Sequence, residues 1–168
     1  GKESSVNDAF GIGEHDLIAE DLSVVQTGSA SIVTNSGESG AQKTNKLIYV
    51  TPAMGGFKAG YSLTDTGASG TTDQIAMGAS YTMPLAGGSM TIKYNKQSTD
   101  GTTATETEGS NYGVSVTMGA ISAIASRGES TIGSGAAQTD DRNATGLGVK
   151  YDLGGGMTIA ATTMKAED

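Results

Sequence analysis

The sequence has 168 residues, of which 26 are Gly and only 2 are Pro, and 36% of them are hydrophobic. This length fits one domain. The formal net charge of -8 comes from 18 acidic and 10 basic residues, and the basic residues form no cluster, which argues against nucleic acid as a partner. No run approaches the roughly 18 to 20 consecutive apolar residues of a transmembrane helix. The absence of Cys rules out disulfides and thiolate metal sites.

Alternation of apolar and polar residues argues against the disorder that so much Gly, Ser and Thr would otherwise suggest. This period-2 pattern predicts β-strands with one apolar side. It is strict in five segments, at residues 57–63, 75–83, 90–94, 112–118 and 147–153. The alternation is weaker at residues 44–51, 120–128 and 157–165, where it does not decide which residues lie on the apolar side. We therefore predict an all-β fold of about eight antiparallel strands.

The connections between the predicted strands differ at the two ends. At one end they are short, Gly/Pro-rich corners, at residues 52–56, 84–88, 119–120 and 154–156. At the other end they are long and polar, at residues 64–73, 96–110 and 128–143. Short turns on one side and long loops on the other are typical of outer-membrane β-barrels.

The composition of the polar side favours a water-filled lumen over a soluble sheet. Its residues are Gly, Ser, Thr and Asn with few charges, whereas soluble sheets place more Lys and Glu on the wet side. Small residues fill little volume, which favours a wide barrel, and they include Gly60, Gly78, Gly113, Gly146 and Gly148. Three tyrosines stand at the same offset before a corner and predict an aromatic girdle at a membrane interface: Tyr49, Tyr81 and Tyr151.

Two segments carry a family resemblance. Residues 44–65, TNKLIYVTPAMGGFKAGYSLTD, resemble the strand-turn-strand that follows the constriction loop in Gram-negative general porins, and residues 150–161, KYDLGGGMTIAA, resemble later hairpins of that family. The resemblance implies a transmembrane antiparallel barrel of about 16 strands, with this chain as an internal fragment, in the outer membrane of a Gram-negative bacterium. It also implies a homotrimer that contacts outer-membrane lipid and lipopolysaccharide, and a channel that passes small polar solutes and ions without a cofactor.

The same resemblance assigns roles by position. It places residues 1–43 in an inward-folded constriction loop and residues 44–168 in the barrel hairpins. In the family, acids on this loop face bases on the wall. The candidate acids are Glu14, Asp16, Glu20 and Asp21, and the candidate bases are Lys58, Lys93 and Lys150, with Lys43 and Lys46 at the mouth of the first strand. A Lys that faced lipid near the midplane would cost roughly 2 to 4 kcal/mol, so we expect these lysines to point inward.

Catalytic and metal-binding patterns are weak. His15 is the only His and no Gly-x-Ser-x-Gly elbow is present, so enzymatic hydrolysis is improbable. Glu14, His15 and Asp16 are adjacent, and adjacent residues rarely converge on one metal ion. Two alternatives to a pore stay open: a small complete eight-stranded barrel with a structural or adhesive role, and a soluble extracellular β-repeat domain that binds a partner through its loops.

Overall fold

The computed structural model describes Phe10 and residues 45–65, 73–100, 106–134 and 137–167. The strands form one antiparallel sheet in chain order, which confirms the predicted all-β fold of eight strands. They are β1 (Asn45–Val50), β2 (Phe57–Asp65), β3 (Asp73–Leu85), β4 (Gly88–Asp100), β5 (Glu106–Met118), β6 (Ile121–Ser134), β7 (Ala137–Gly154) and β8 (Met157–Glu167). Among the described residues, no helix is long and apolar enough to cross a membrane.

The edges of the sheet are β1 and β8. Within the described ranges β1 pairs with β2 and β8 pairs with β7, and the two edge strands are not neighbours in the sheet. These eight strands therefore do not close on themselves as the complete small barrel would require.

The pairing register is staggered across the sheet. The row of directly opposite residues that starts at Tyr49, close to a corner, passes through Tyr61, Met77 and Lys96. It ends at Glu167, the last residue of β8. This row of paired residues begins near the corners and ends at the opposite end of the strands. The strands are therefore sheared relative to one another. Shear of this kind accompanies the strand tilt of β-barrels.

Glycines with positive φ form the corners, because that backbone region is strained for residues with a Cβ. Gly56 has a φ of 88°, and an added Cβ there would lie 2.1 Å from the carbonyl oxygen of Thr82. The amide of Thr82 donates to the carbonyl oxygen of Gly56 at 2.9 Å, so this corner is held directly against β3. Gly119 has a φ of 55°, and an added Cβ there would have no neighbour within 4 Å.

The predicted corner at residues 84–88 is too wide. Pro84 and Leu85 continue β3 and lie opposite Ser89 and Gly88. Pro lacks the N–H that a strand normally donates. On the neighbouring side β2 begins at Phe57, opposite Tyr81, so no β2 residue lies opposite Pro84 and no ladder bond is lost.

Two of the predicted long loops are also wrong over most of their length. Strand β4 continues to Asp100 and β5 begins at Glu106, while β6 continues to Ser134 and β7 begins at Ala137. These segments are polar on both sides, so their sequence loses the period-2 signal while the backbone pairing continues. The predicted loops at residues 96–110 and 128–143 are mainly strand.

The register divides the sheet into two faces. We call the side with Tyr49, Tyr81 and Tyr151 the apolar face, and the side with Lys58, Lys93 and Lys150 the polar face. The weakly alternating strands follow the same division. In β6, opposite β7, Arg127 lies on the apolar face and Ile124 on the polar face. This exchange of polarity explains why β6 alternates weakly in the sequence.

Candidate functional site

The apolar face is exposed. Its aromatic and aliphatic side chains are accessible along the whole sheet, with Tyr49 at 63% and Tyr151 at 48% of full exposure. The same holds for Tyr61, Tyr81, Ile92, Tyr94, Tyr112, Leu147, Val149 and Ile159. A water-soluble protein rarely presents so large a continuous apolar surface. This face therefore requires an apolar environment outside the sheet.

On the side away from the corners, the apolar face is bordered by charged side chains. Lys96 Nζ lies 2.9 Å from Glu108 Oε1, and Arg127 Nε lies 3.1 Å from Glu129 Oε1. Lys165 pairs with Glu167 in the same way. We call these six residues the charged belt. From Gly88 to Lys96 a strand rises about 26 Å, or roughly 20 Å at the usual barrel tilt, close to the ~25 Å apolar band of outer-membrane barrels.

The polar face carries small and polar side chains. Near the corners Lys58, Thr82 and Thr117 are exposed. Farther from the corners the polar residues are buried, and these are Ser62, Asn95, Gln97, Asn111, Ser126 and Ser130. Buried polar side chains on one face and exposed large apolar side chains on the other are the reverse of the arrangement in water-soluble sheets.

The structure brings two of the predicted basic residues together on the polar face. Lys58 lies opposite Ser80, and Ser80 lies opposite Lys93 on the next strand. Two strand spacings separate these lysines, about 9.6 Å. Lys150 lies on the same face, opposite Ser122 of β6. The polar face therefore presents separated positive charges among hydroxyl groups.

Sequence reasoning missed Arg142, a further basic residue of the polar face. It lies on β7 opposite Ser130 and is partly buried. The polar pattern around it predicts a loop at residues 128–143. Continuing the alternation of residues 147–153 backward along β7 is the signal that would have found it.

Sequence reasoning also missed Phe10, which lies against the polar face. The ring is 1% exposed and borders a cavity of about 450 Å³. Other residues that line this cavity are Lys58, Ser80, Thr82, Thr91 and Lys93. Phe10 thus shares one space with two of the predicted wall lysines.

The remaining predicted residues have the following positions. The tyrosines expected in the girdle, Tyr49, Tyr81 and Tyr151, all lie exposed on the apolar face. Lys46 lies in β1 opposite Thr64. Five candidates lie outside the described residues, and these are Glu14, Asp16, Glu20, Asp21 and Lys43. Across the described ranges no group of three or more metal-ligating side chains is assembled.

The family comparison agrees with this geometry. The model of the Gram-negative porin family matches residues 1–168, the whole chain. Searches against curated proteins and against solved structures find no match. With a sheared antiparallel sheet, an exposed apolar face and a small-residue polar face, the chain belongs to the Gram-negative porin family of outer-membrane β-barrel channels.

Proposed function

We propose that this chain lines a water-filled channel through which small hydrophilic solutes and ions diffuse passively. The observation that carries the proposal is the reversed polarity of the sheet. The exposed apolar face suits the hydrocarbon of the membrane, and the polar face, with its Gly, Ser, Thr and Asn residues, suits a hydrated lumen. In this proposal the passage of solutes is passive and involves no turnover and no cofactor.

In this proposal the wall lysines give the lumen its positive charge. Lys58, Lys93 and Lys150 lie on the polar face, where their ammonium groups are hydrated instead of being buried in lipid. Lys43 and Lys46 extend the basic wall at the mouth of β1. Fixed charges along a pore bias the passage of ions and orient dipolar solutes.

The opposite charges come from the N-terminal part of the chain. Residues 1–43 form the constriction loop of the proposal and residues 44–168 form the wall, with Glu14, Asp16, Glu20 and Asp21 facing the lysines. The position of Phe10 supports this arrangement, because it borders the same cavity as Lys58 and Lys93. A chain spans at most about 3.6 Å per residue. The Cα of Glu14 is therefore within about 14 Å of the Cα of Phe10, and that of Asp16 within about 22 Å.

The membrane contacts follow from the apolar face. Tyr49, Tyr81 and Tyr151 act as the girdle at the interface nearest the corners. The charged belt lies at the opposite interface, where it meets the headgroups of lipid and lipopolysaccharide. The open edges of the sheet, β1 and β8, continue into further strands of a barrel of about 16 strands, and the complete barrel assembles as a homotrimer.

Planar-bilayer recording tests the channel. The protein, expressed from its full reading frame and refolded in detergent, is expected to insert in discrete steps of equal conductance with a linear current-voltage relation near zero voltage. Insertion without any conductance above the bare bilayer would contradict the proposal. Heat-denatured protein at the same detergent concentration is the control for detergent leakage.

A further inference from the structure

Two glycines on the polar face leave the backbone of the wall bare at one point. Gly60 of β2 and Gly78 of β3 lie directly opposite each other. We call this pair the glycine seat. Glycine in the interior of a strand weakens it, and often marks a place where another group approaches the backbone closely.

The ring of Phe10 fills the glycine seat. An added Cβ at Gly60 would lie 2.7 Å from Phe10 Cε2, and an added Cβ at Gly78 would lie 2.5 Å from Phe10 Cβ and 2.6 Å from Cγ. All three distances are shorter than real Cβ contacts, so an alanine at either position would force the ring to shift. Phe10 is also among the largest fully buried side chains of the described residues. The fit therefore depends on both glycines at once.

We propose that Phe10 is a positioning residue that anchors the N-terminal acidic segment to the pore wall, with the glycine seat as its receptor. This inference rests on the proposed channel and deepens it. The anchor fixes one point of the segment beside Lys58 and Lys93, which border the same cavity. Chain length then limits the Cα of Glu14 to about 14 Å and that of Asp16 to about 22 Å from the Cα of Phe10. The width of the pore at this height depends on the ring staying in its seat.

Disulfide trapping tests the contact without any need for conductance. The chain has no Cys, so the double variant Phe10→Cys/Gly78→Cys contains one possible bridge. Removal of the ring gives the two Cβ atoms room to reach the ~3.8 Å separation of a disulfide. The matched control is Phe10→Cys/Ser126→Cys, whose second site is buried in β6, three strands from β3. We expect nearly complete bridging at position 78 and background bridging at position 126, measured by gel mobility and mass spectrometry. Oxidation also traps a brief return of position 10 to position 78 after the ring is removed, so either equal bridging in both variants or no bridging at position 78 would overturn the contact.

Single-channel recording tests the anchoring role. Phe10→Ala is expected to increase open-channel current noise and to shift the mean conductance upward. The oxidised Phe10→Cys/Gly78→Cys variant restores a quiet channel, and reduction removes that effect. Phe57→Ala, which removes the other Phe of the chain from the apolar face, leaves noise and conductance unchanged. A conducting Phe10→Ala channel identical to the wild type would overturn the anchor. Trapping without conductance in any variant would contradict the channel and leave the contact established.

Discussion

Lys96 and Glu108 pair at 2.9 Å across β4 and β5 on the apolar face, immediately beyond the directly opposed Tyr94 and Tyr112. Aromatic side chains with a polar tip, followed by paired charges, are the usual sequence of groups at a membrane interface. The tyrosine pair and this ion pair therefore mark the edge of the apolar band on the side away from the corners. We therefore expect the apolar face to tolerate an added charge beyond this edge but not within the apolar band.

Lysine substitutions along β4 test this boundary. Ile92→Lys places a charge within the apolar band and is expected to lower the free energy of unfolding by roughly 2 to 4 kcal/mol. Ser98→Lys, on the same strand and the same face, is expected to change it by less than about 1 kcal/mol, because Ser98 lies opposite Glu108 within the charged belt. Urea titration of the full-length protein in phospholipid vesicles measures both. Equal costs at the two positions would contradict the assigned boundary.

Neutralising the wall lysines tests their place in the lumen. Lys58→Gln and Lys93→Gln each remove a positive charge from the ion path, so the permeability ratio of K⁺ to Cl⁻ rises. We expect a rise of about two- to five-fold for each, which corresponds to the roughly 0.5 to 1 kcal/mol between unit charges 4 to 8 Å apart in water. Reversal potentials across a KCl gradient give the ratio.

Lys165→Gln is the matched control for this prediction. It removes the same charge from the apolar face, where Lys165 belongs to the charged belt, and leaves the permeability ratio unchanged. The effect of the wall substitutions also weakens as salt rises, because screening shortens the range of each charge. A ratio that responds equally to all three substitutions would show that the lysines act from outside the lumen.

The strands and their faces could be predicted from the sequence where the two faces of the sheet differ in polarity. Residues 57–63 and 147–153 alternate because one side meets apolar surroundings and the other side is polar, and the structure places them as predicted. Beyond the apolar band both sides are polar. The pattern then disappears, and for that reason the strand ends near Asp100 and the position of Arg142 were missed.

The contact of Phe10 with the glycine seat could not be predicted from the sequence, for a different reason. Glycines such as Gly60 and Gly78 can mark a close approach of another group to the strand, but in the sequence their small size indicates only a wide barrel. Which group approaches depends on a contact between segments about 50 or more residues apart in the chain, and no local pattern encodes it. The pairing register, together with the buried ring, reveals it.

The corner glycines provide a matched pair for stability. Gly119→Ala places a Cβ in open space and carries only the left-handed backbone penalty, roughly 1 to 2 kcal/mol. Gly56→Ala carries the same kind of penalty and also places its Cβ 2.1 Å from the carbonyl oxygen of Thr82. We expect Gly56→Ala to lower the unfolding free energy by clearly more than Gly119→Ala in the same vesicle titration. Similar losses would mean that the corner at Gly56 is free to move away from β3.

Two neighbouring residues of β4 allow a direct test of whether the sheet separates lipid from water. Ile92 lies exposed on the apolar face, and Thr91 lies on the polar face beside the Phe10 cavity. Because the chain has no Cys, Ile92→Cys and Thr91→Cys can each be labelled with one fluorophore in the protein refolded into vesicles. We expect lipids with brominated acyl chains to quench the label at position 92 and aqueous iodide to quench the label at position 91. Quenching of both labels by iodide, with neither reached by the brominated lipid, would contradict a wall that separates lipid from a water-filled pore.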